Sequence, residues 1–166
     1  VFIAPSRFLI EKFRSVGFAN PIQHIVQPIR PFPAVPATKG GDYLLFIGRL
    51  SEEQGVATLI EPVALMQGDI GLQIIGTGPE ESLLRDQAKS VPGVEFLGYQ
   101  TGEAWEQALR GAKALVVPSI WYENMPYVVL EALSRGTPVF ATRLGGVPER
   151  IVEGQNGWLF DANDAH

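Results

Sequence analysis

Two glutamates, Glu123 and Glu131, stand eight positions apart in the stretch 121–136, WYENMPYVVLEALSRG. Glu131 falls inside an apolar run of Val128, Val129, Leu130, Ala132 and Leu133. A carboxylate there is costly unless something pairs with it. Pro126 fits the first turn of a helix, Gly136 fits just past its end, and Pro138 blocks continuation. Such a helix, apolar on nearly every face, is expected in a core. Glu123 precedes it, close to free backbone N–H groups that attract anions. On a continuous helix eight residues rise roughly 12 Å. Paired glycosidase carboxylates sit roughly 5–9.5 Å apart, so these two read instead as anchors on one extended ligand with hydroxyls and negative charge. The alternative is a solvated Glu123 and a Glu131 paired to a core arginine.

Other groups have the right chemistry for such a ligand. Gly48-Arg49-Leu50 ends an apolar run; the glycine permits a close turn and Arg49 offers five donors suited to phosphate. Gly76-Thr77-Gly78-Pro79 precedes a helical stretch and has the composition of a phosphate cradle, but taken alone it reads first as a tight turn. As a dinucleotide fingerprint it is incomplete, because Glu81 stands where the third glycine belongs. Gly145-Gly146-Val147-Pro148-Glu149 serves equally as a ligand-facing loop or a plain turn. His24 reads as structural, His166 is the last residue, and Asp161 and Asp164 read as capping or tail charges.

The elements that must position these groups alternate. Apolar runs at 43–47, 72–75, 94–97, 114–117, 139–141 and 157–160 read as strands. Helices are expected at 53–66 (with Pro62 as a kink), 79–90, 103–110 and 126–135, and a helical turn at 148–152. Apolar strands alternating with helices indicate α/β: a doubly wound, Rossmann-like parallel sheet covered on both faces, in strand order 3-2-1-4-5-6. Ligands bind such sheets beyond the carboxyl ends of strands 1 and 4. Those ends carry Gly48-Arg49 and Pro118-Ser119. Upstream, 1–4 and 22–27 read as short strands around a helix at 7–16 capped by Ser6. Residues 28–41, with four prolines and two glycines, read as a linker. Residues 1–27 are then the tail of a mostly absent domain, and 42–166 a ligand-binding domain.

The 166 residues are 46% hydrophobic and 19% charged, as in a globular α/β chain. The net charge of -5 argues against general nucleic-acid binding. With no cysteine there is neither a disulfide framework nor a thiolate metal site. No apolar run is long enough to span a membrane as a helix. The chain starts at Val1 and is expected to be interior to a longer protein.

In this order, strand-Gly-Arg-Leu, Gly-Thr-Gly-Pro, Glu-x7-Glu, Gly-Gly-Val-Pro-Glu and Asn156-Gly157 resemble the group-1 (family 4) retaining glycosyltransferases, over nearly the whole chain. The resemblance implies the C-terminal donor-binding half of a GT-B fold, with Pro5-Ser6-Arg7-Phe8 in the last helix of the acceptor domain. It implies transfer of a sugar, with retention, from a UDP-, GDP- or ADP-linked donor to an unknown acceptor, with no cofactor and no metal; no Asp-x-Asp occurs here. By resemblance Glu131 would bind the ribose, and Glu123 the donor sugar. The backbone of Asn124, Met125 and Pro126 would face the pyrophosphate, with Gly48 and Gly78 lining that site. Arg49 would neutralise the leaving diphosphate, and Tyr99 would lie beside the base. The family's usual lysine is replaced by Gln54; losing a whole preorganised donor costs about 3–4 kcal/mol, and losing only its charge less. The usual Glu-Gly-Phe-Gly becomes Glu-Asn-Met-Pro. Expected partners are the nucleotide sugar and the absent acceptor domain, through which alone an otherwise cytoplasmic protein would touch the inner membrane. The fragment alone is expected to be inactive. The alternatives are a nucleotide-sugar epimerase-like enzyme, or a degenerate nucleotide-binding or interaction domain without turnover.

Overall fold

The computed structural model describes residues 1–29, 41–66 and 69–162. Most of the expected linker, and also Asp164 and His166, lie outside them. β1 (Phe2–Ala4), α1 (Arg7–Ser15) and β2 (Ile22–His24) form a small unit in which β1 and β2 pair in parallel. The main sheet contains β3 (Tyr43–Ile47), β4 (Gly71–Ile75), β5 (Val94–Gly98), β6 (Ala114–Val117), β7 (Val139–Thr142) and β8 (Gly157–Phe160). Its order is β5-β4-β3-β6-β7-β8, with every pairing parallel. Counted from β3, this is the expected 3-2-1-4-5-6.

Helices α2 (Ala57–Leu65), α3 (Glu81–Ala88), α4 (Gly102–Gly111) and α5 (Tyr127–Ser134) complete the α/β alternation. Adjacent residues of a strand point to opposite faces. Accordingly Leu45 packs in one apolar cluster with Leu109 of α4 and Val129 of α5. Phe46 packs in the other with Ile60 of α2 and Leu84 of α3. A strand buried on both sides must be apolar throughout, which is why YLLFI and ALVV read as continuous runs rather than alternations.

The helix expected over 53–66 is broken. A 3-10 turn at Glu52–Gln54 is followed by Gly55 in the left-handed region (φ 67°), and α2 starts at Ala57. The cause is a close approach: a Cβ on Gly55 would lie 2.2 Å from the Pro118 carbonyl oxygen. Ile120 N–H also donates to Glu53 O at 3.1 Å, so the chain is bent to meet the loop after β6. Pro62 lies inside α2 without ending it. At the start of α5, Pro126 is the cap (φ -66°, ψ 132°) rather than the first helical residue. The segment from Glu123 to Pro126 is therefore not helical, and the two-turn estimate of the Glu123–Glu131 spacing does not apply. Nor is α5 buried all round: Val129 and Ala132 are buried while Tyr127 is exposed.

Glycine is required where strand ends touch. Gly76 (φ 142°) has no room for a side chain, since a Cβ would fall 1.8 Å from Gly48 O, whereas Gly154 (φ 77°) has nothing within 4 Å. Gly154→Ala is expected to cost about 1–2 kcal/mol in urea unfolding, the backbone penalty alone. Gly76→Ala should cost distinctly more; equal costs would contradict the close approach.

Candidate functional site

The site is built from loops at the carboxyl edge of the sheet. The loops after β3 and β4 are laced by backbone bonds: Gly48 N–H to Ile75 O, Leu50 N–H to Thr77 O and Glu80 N–H to Leu50 O, each 3.0 Å. Of the Gly-Thr-Gly pair, Gly76 lines the cleft. Gly78 instead braces the lacing, because a Cβ there would lie 2.2 Å from Leu50 O. That is the tight-turn reading of this glycine. The cleft, about 400 Å³, opens beyond β3, β4 and β5, beside the point where the strand order reverses. Gly48, Tyr99 and Trp105 line it together with Glu131 of α5.

Gln54 joins this cleft to the second glutamate. Its Nε2 donates to Glu123 Oε1 at 2.7 Å. Its Oε1 stands 3.3 Å from where a Cβ on Gly48 would be. Ser119 Oγ donates to the same Glu123 oxygen over a longer 3.4 Å, and buried Thr142 donates to the Ser119 carbonyl at 2.7 Å. The backbone of Glu123 is fixed too. Its carbonyl accepts from Gly146 N–H at 2.7 Å, and its N–H donates to Trp121 O at 2.9 Å. Cβ atoms on Gly145 and Gly146 would each lie 1.9 Å from a backbone oxygen, that of Glu123 and of Asn124 respectively. The Gly-Gly pair thus serves packing, with the Gly146 N–H already engaged.

The remaining expected residues divide. Arg49 is exposed in the loop after β3, its guanidinium without a hydrogen-bond partner among the described residues and its charge acting on Glu53. Met125 is buried, and Asn124 Oδ1 accepts from Ser6 Oγ at 2.6 Å. No side chain caps α5. Its first N–H groups, preceded by Pro126, carry the partial positive charge of the helix end. Among the described residues no group of three or more His, Asp or Glu could hold a metal. No helix there is long and apolar enough to cross a membrane.

Behind Glu131 lies a charge network that sequence reasoning missed. The Arg135 side chain is 1% exposed and binds both Glu106 carboxylate oxygens at 2.6–2.9 Å. It also donates to the Glu131 carbonyl at 2.9 Å and lies over the Trp105 ring at 5.0 Å. The Arg135 hydrogen bond holds the Glu106 carboxyl below its usual range, with burial opposing and Arg110 assisting. Burial raises Glu131, Arg135 partly offsets this, and Glu106 adds to it. A helix is expected at 103–110 from the sequence, but nothing local links Glu106 to Arg135, 29 residues away.

Residues 31–166 match the family model for glycosyl transferases group 1, and the chain belongs to that family. An uncharacterized glycosyltransferase of Methanocaldococcus jannaschii is 34% identical over 126 residues, which cover 72% of this chain and 32% of that protein. The glycogen synthase of Mycobacterium tuberculosis is 33% identical over 133 residues, 76% of this chain and 32% of that one. Among solved structures, HepE of Anabaena in complex with UDP aligns over 98% of this chain and 50% of its own, with TM-score 0.84 and 22% identity. The lipopolysaccharide outer core galactosyltransferase WaaB aligns over 98% and 49%, with TM-score 0.83 and 24% identity. These likenesses show the fold, a Rossmann-like half of the GT-B arrangement. The chain spans about a third of the length of the curated relatives it matches.

The raised Glu131 pKa has a consequence for stability. The folded chain holds that proton more tightly than the unfolded chain. The stability so gained is full below the unfolded-state value and lost as pH rises through the folded one. Near neutral pH the ionised Glu131 is a net cost. Glu131→Gln should therefore have a Tm at or above wild type at about pH 7, with the advantage shrinking toward about pH 4. A lower Tm at neutral pH would contradict a carboxylate kept for function.

Proposed function

We propose that this chain is the donor-binding part of a retaining glycosyltransferase that moves a sugar from a nucleotide-diphosphate sugar to an acceptor hydroxyl without a metal ion. The observation that carries the reading is a chain of neighbours: half-buried Glu131 lines one cleft with Gly48, Gln54 stands beside Gly48, and Gln54 hydrogen-bonds Glu123. Glu131 accepts from the ribose hydroxyls, and the wall at Tyr99 receives the base. The diphosphate spans the gap to the N-terminus of α5, near Arg49. Glu123, with Oε1 taken by Gln54, receives a donor-sugar hydroxyl on its other oxygen. HepE is seen in complex with UDP, which makes UDP the first nucleotide to try.

The chemistry follows from charge. The bond between the anomeric carbon and the phosphate oxygen breaks, and the diphosphate leaves with added negative charge. Fixed donors placed there lower the barrier. The acceptor oxygen bonds to the same face, and its proton passes to the departing phosphate oxygen, so no enzyme nucleophile is needed. Gln54 supplies an N–H in place of a cation, so the charge compensation rests on Arg49 and the helix end. The chain alone carries the donor side, and turnover belongs to the longer protein.

Calorimetric titration with UDP, GDP and ADP, with and without magnesium, tests this. One nucleotide should bind in both conditions, and Glu131→Ala should weaken it by about tenfold or more, as expected for loss of a hydrogen-bonded carboxylate. Binding that requires magnesium, or that survives the substitution, would overturn the reading.

A further inference from the structure

The small unit at the start of the chain touches the site at a specific place. None of the nine residues of α1 is fully buried. Polar contacts at its N-terminus tie it to the loops of the main sheet. Glu149, from the 3-10 turn after the Gly-Gly pair, accepts from Arg7 N–H at 3.0 Å and Phe8 N–H at 2.8 Å. Fully buried Ser6 accepts from Leu9 N–H at 3.2 Å and donates to Asn124 Oδ1 at 2.6 Å. The Phe8 ring packs on Tyr122 at 5.2 Å, and Lys12 Nζ lies 4.6 Å over the same ring. Tyr122 and Asn124 are the two neighbours of Glu123 in the chain.

We infer that α1 is a positioning element for Glu123: Ser6 through Asn124, and Phe8 with Lys12 through Tyr122, clamp the glutamate from both sides. The inference rests on the reading of Glu123 as the donor-sugar contact. A hydroxyl that accepts from one group while donating to another polarises both bonds, so Ser6 couples the α1 cap to the site loop. Ribose and base contacts lie elsewhere, at Glu131 and Tyr99. Loosening the clamp should therefore affect recognition of the sugar and leave recognition of the nucleotide.

The test is Ser6→Ala beside Ser6→Thr, which keeps the hydroxyl, and Phe8→Leu, which spares the cap. Amide hydrogen exchange is read at Glu123 and Gly146, whose N–H groups close the site loop. Exchange there should quicken about tenfold in Ser6→Ala and Phe8→Leu and return toward wild type in Ser6→Thr. In calorimetry the affinity for UDP-glucose should fall relative to that for UDP by about the same factor. Faster exchange confined to residues 7–15, or equal weakening of UDP and UDP-glucose, would overturn the inference. Failure of the wild-type chain to bind UDP, GDP or ADP would sink the proposed function instead, while the exchange data would still decide whether α1 holds the loop.

Discussion

Backbone pressed directly against backbone is the constraint on which this structure depends. At the carboxyl edge of the sheet, Gly76 abuts Gly48, Gly78 abuts Leu50, Gly55 abuts Pro118, and Gly145 and Gly146 abut Glu123 and Asn124. Each contact excludes a side chain. Together they draw the loops after β3, β4, β6 and β7 into one platform. A site that must recognise separated parts of one ligand needs its anchors at fixed distances. Loops alone rarely provide this; here the lacing ties them to one another and to the strands they follow.

On that platform the charges are arranged by burial. Arg135 is nearly inaccessible and is balanced by Glu106, whose other neighbour is Arg110. The same guanidinium holds the Glu131 carbonyl and backs the Trp105 ring. Removing Glu106 would leave a buried cation uncompensated, which is why this network belongs to the stability of the cleft wall as much as to its electrostatics. Glu131 itself sits where burial opposes its ionisation. Glu123, by contrast, is held by neutral donors, Gln54 and Ser119, and needs no cation to stay in place.

The α/β alternation and strand order were legible because strands buried on two faces must be apolar and because crossovers have one hand. Glu123 and Glu131 stood out because a carboxylate inside or beside an apolar run conflicts with its surroundings. What lay hidden was non-local. Gly78 and the Gly145-Gly146 pair have the composition of ligand cradles, but their need for glycine comes from carbonyls far away in sequence. The break at Gly55 could not be seen without Pro118. Gln54 meets Glu123 across 69 residues, and Ser6 meets Asn124 across 118. No local pattern encodes such pairs. Asn124 and Met125 entered the expected site through their backbone; that the Met125 side chain is buried and that Asn124 Oδ1 binds Ser6 were not legible in the motif.

The most direct measurement is a crystal structure of this chain soaked with UDP. The account predicts ribose hydroxyls within hydrogen-bond distance of the Glu131 carboxylate, the uracil beside Tyr99, and the diphosphate between Arg49 and the N-terminus of α5. Density for the nucleotide away from Glu131, or a diphosphate remote from both Arg49 and α5, would contradict it.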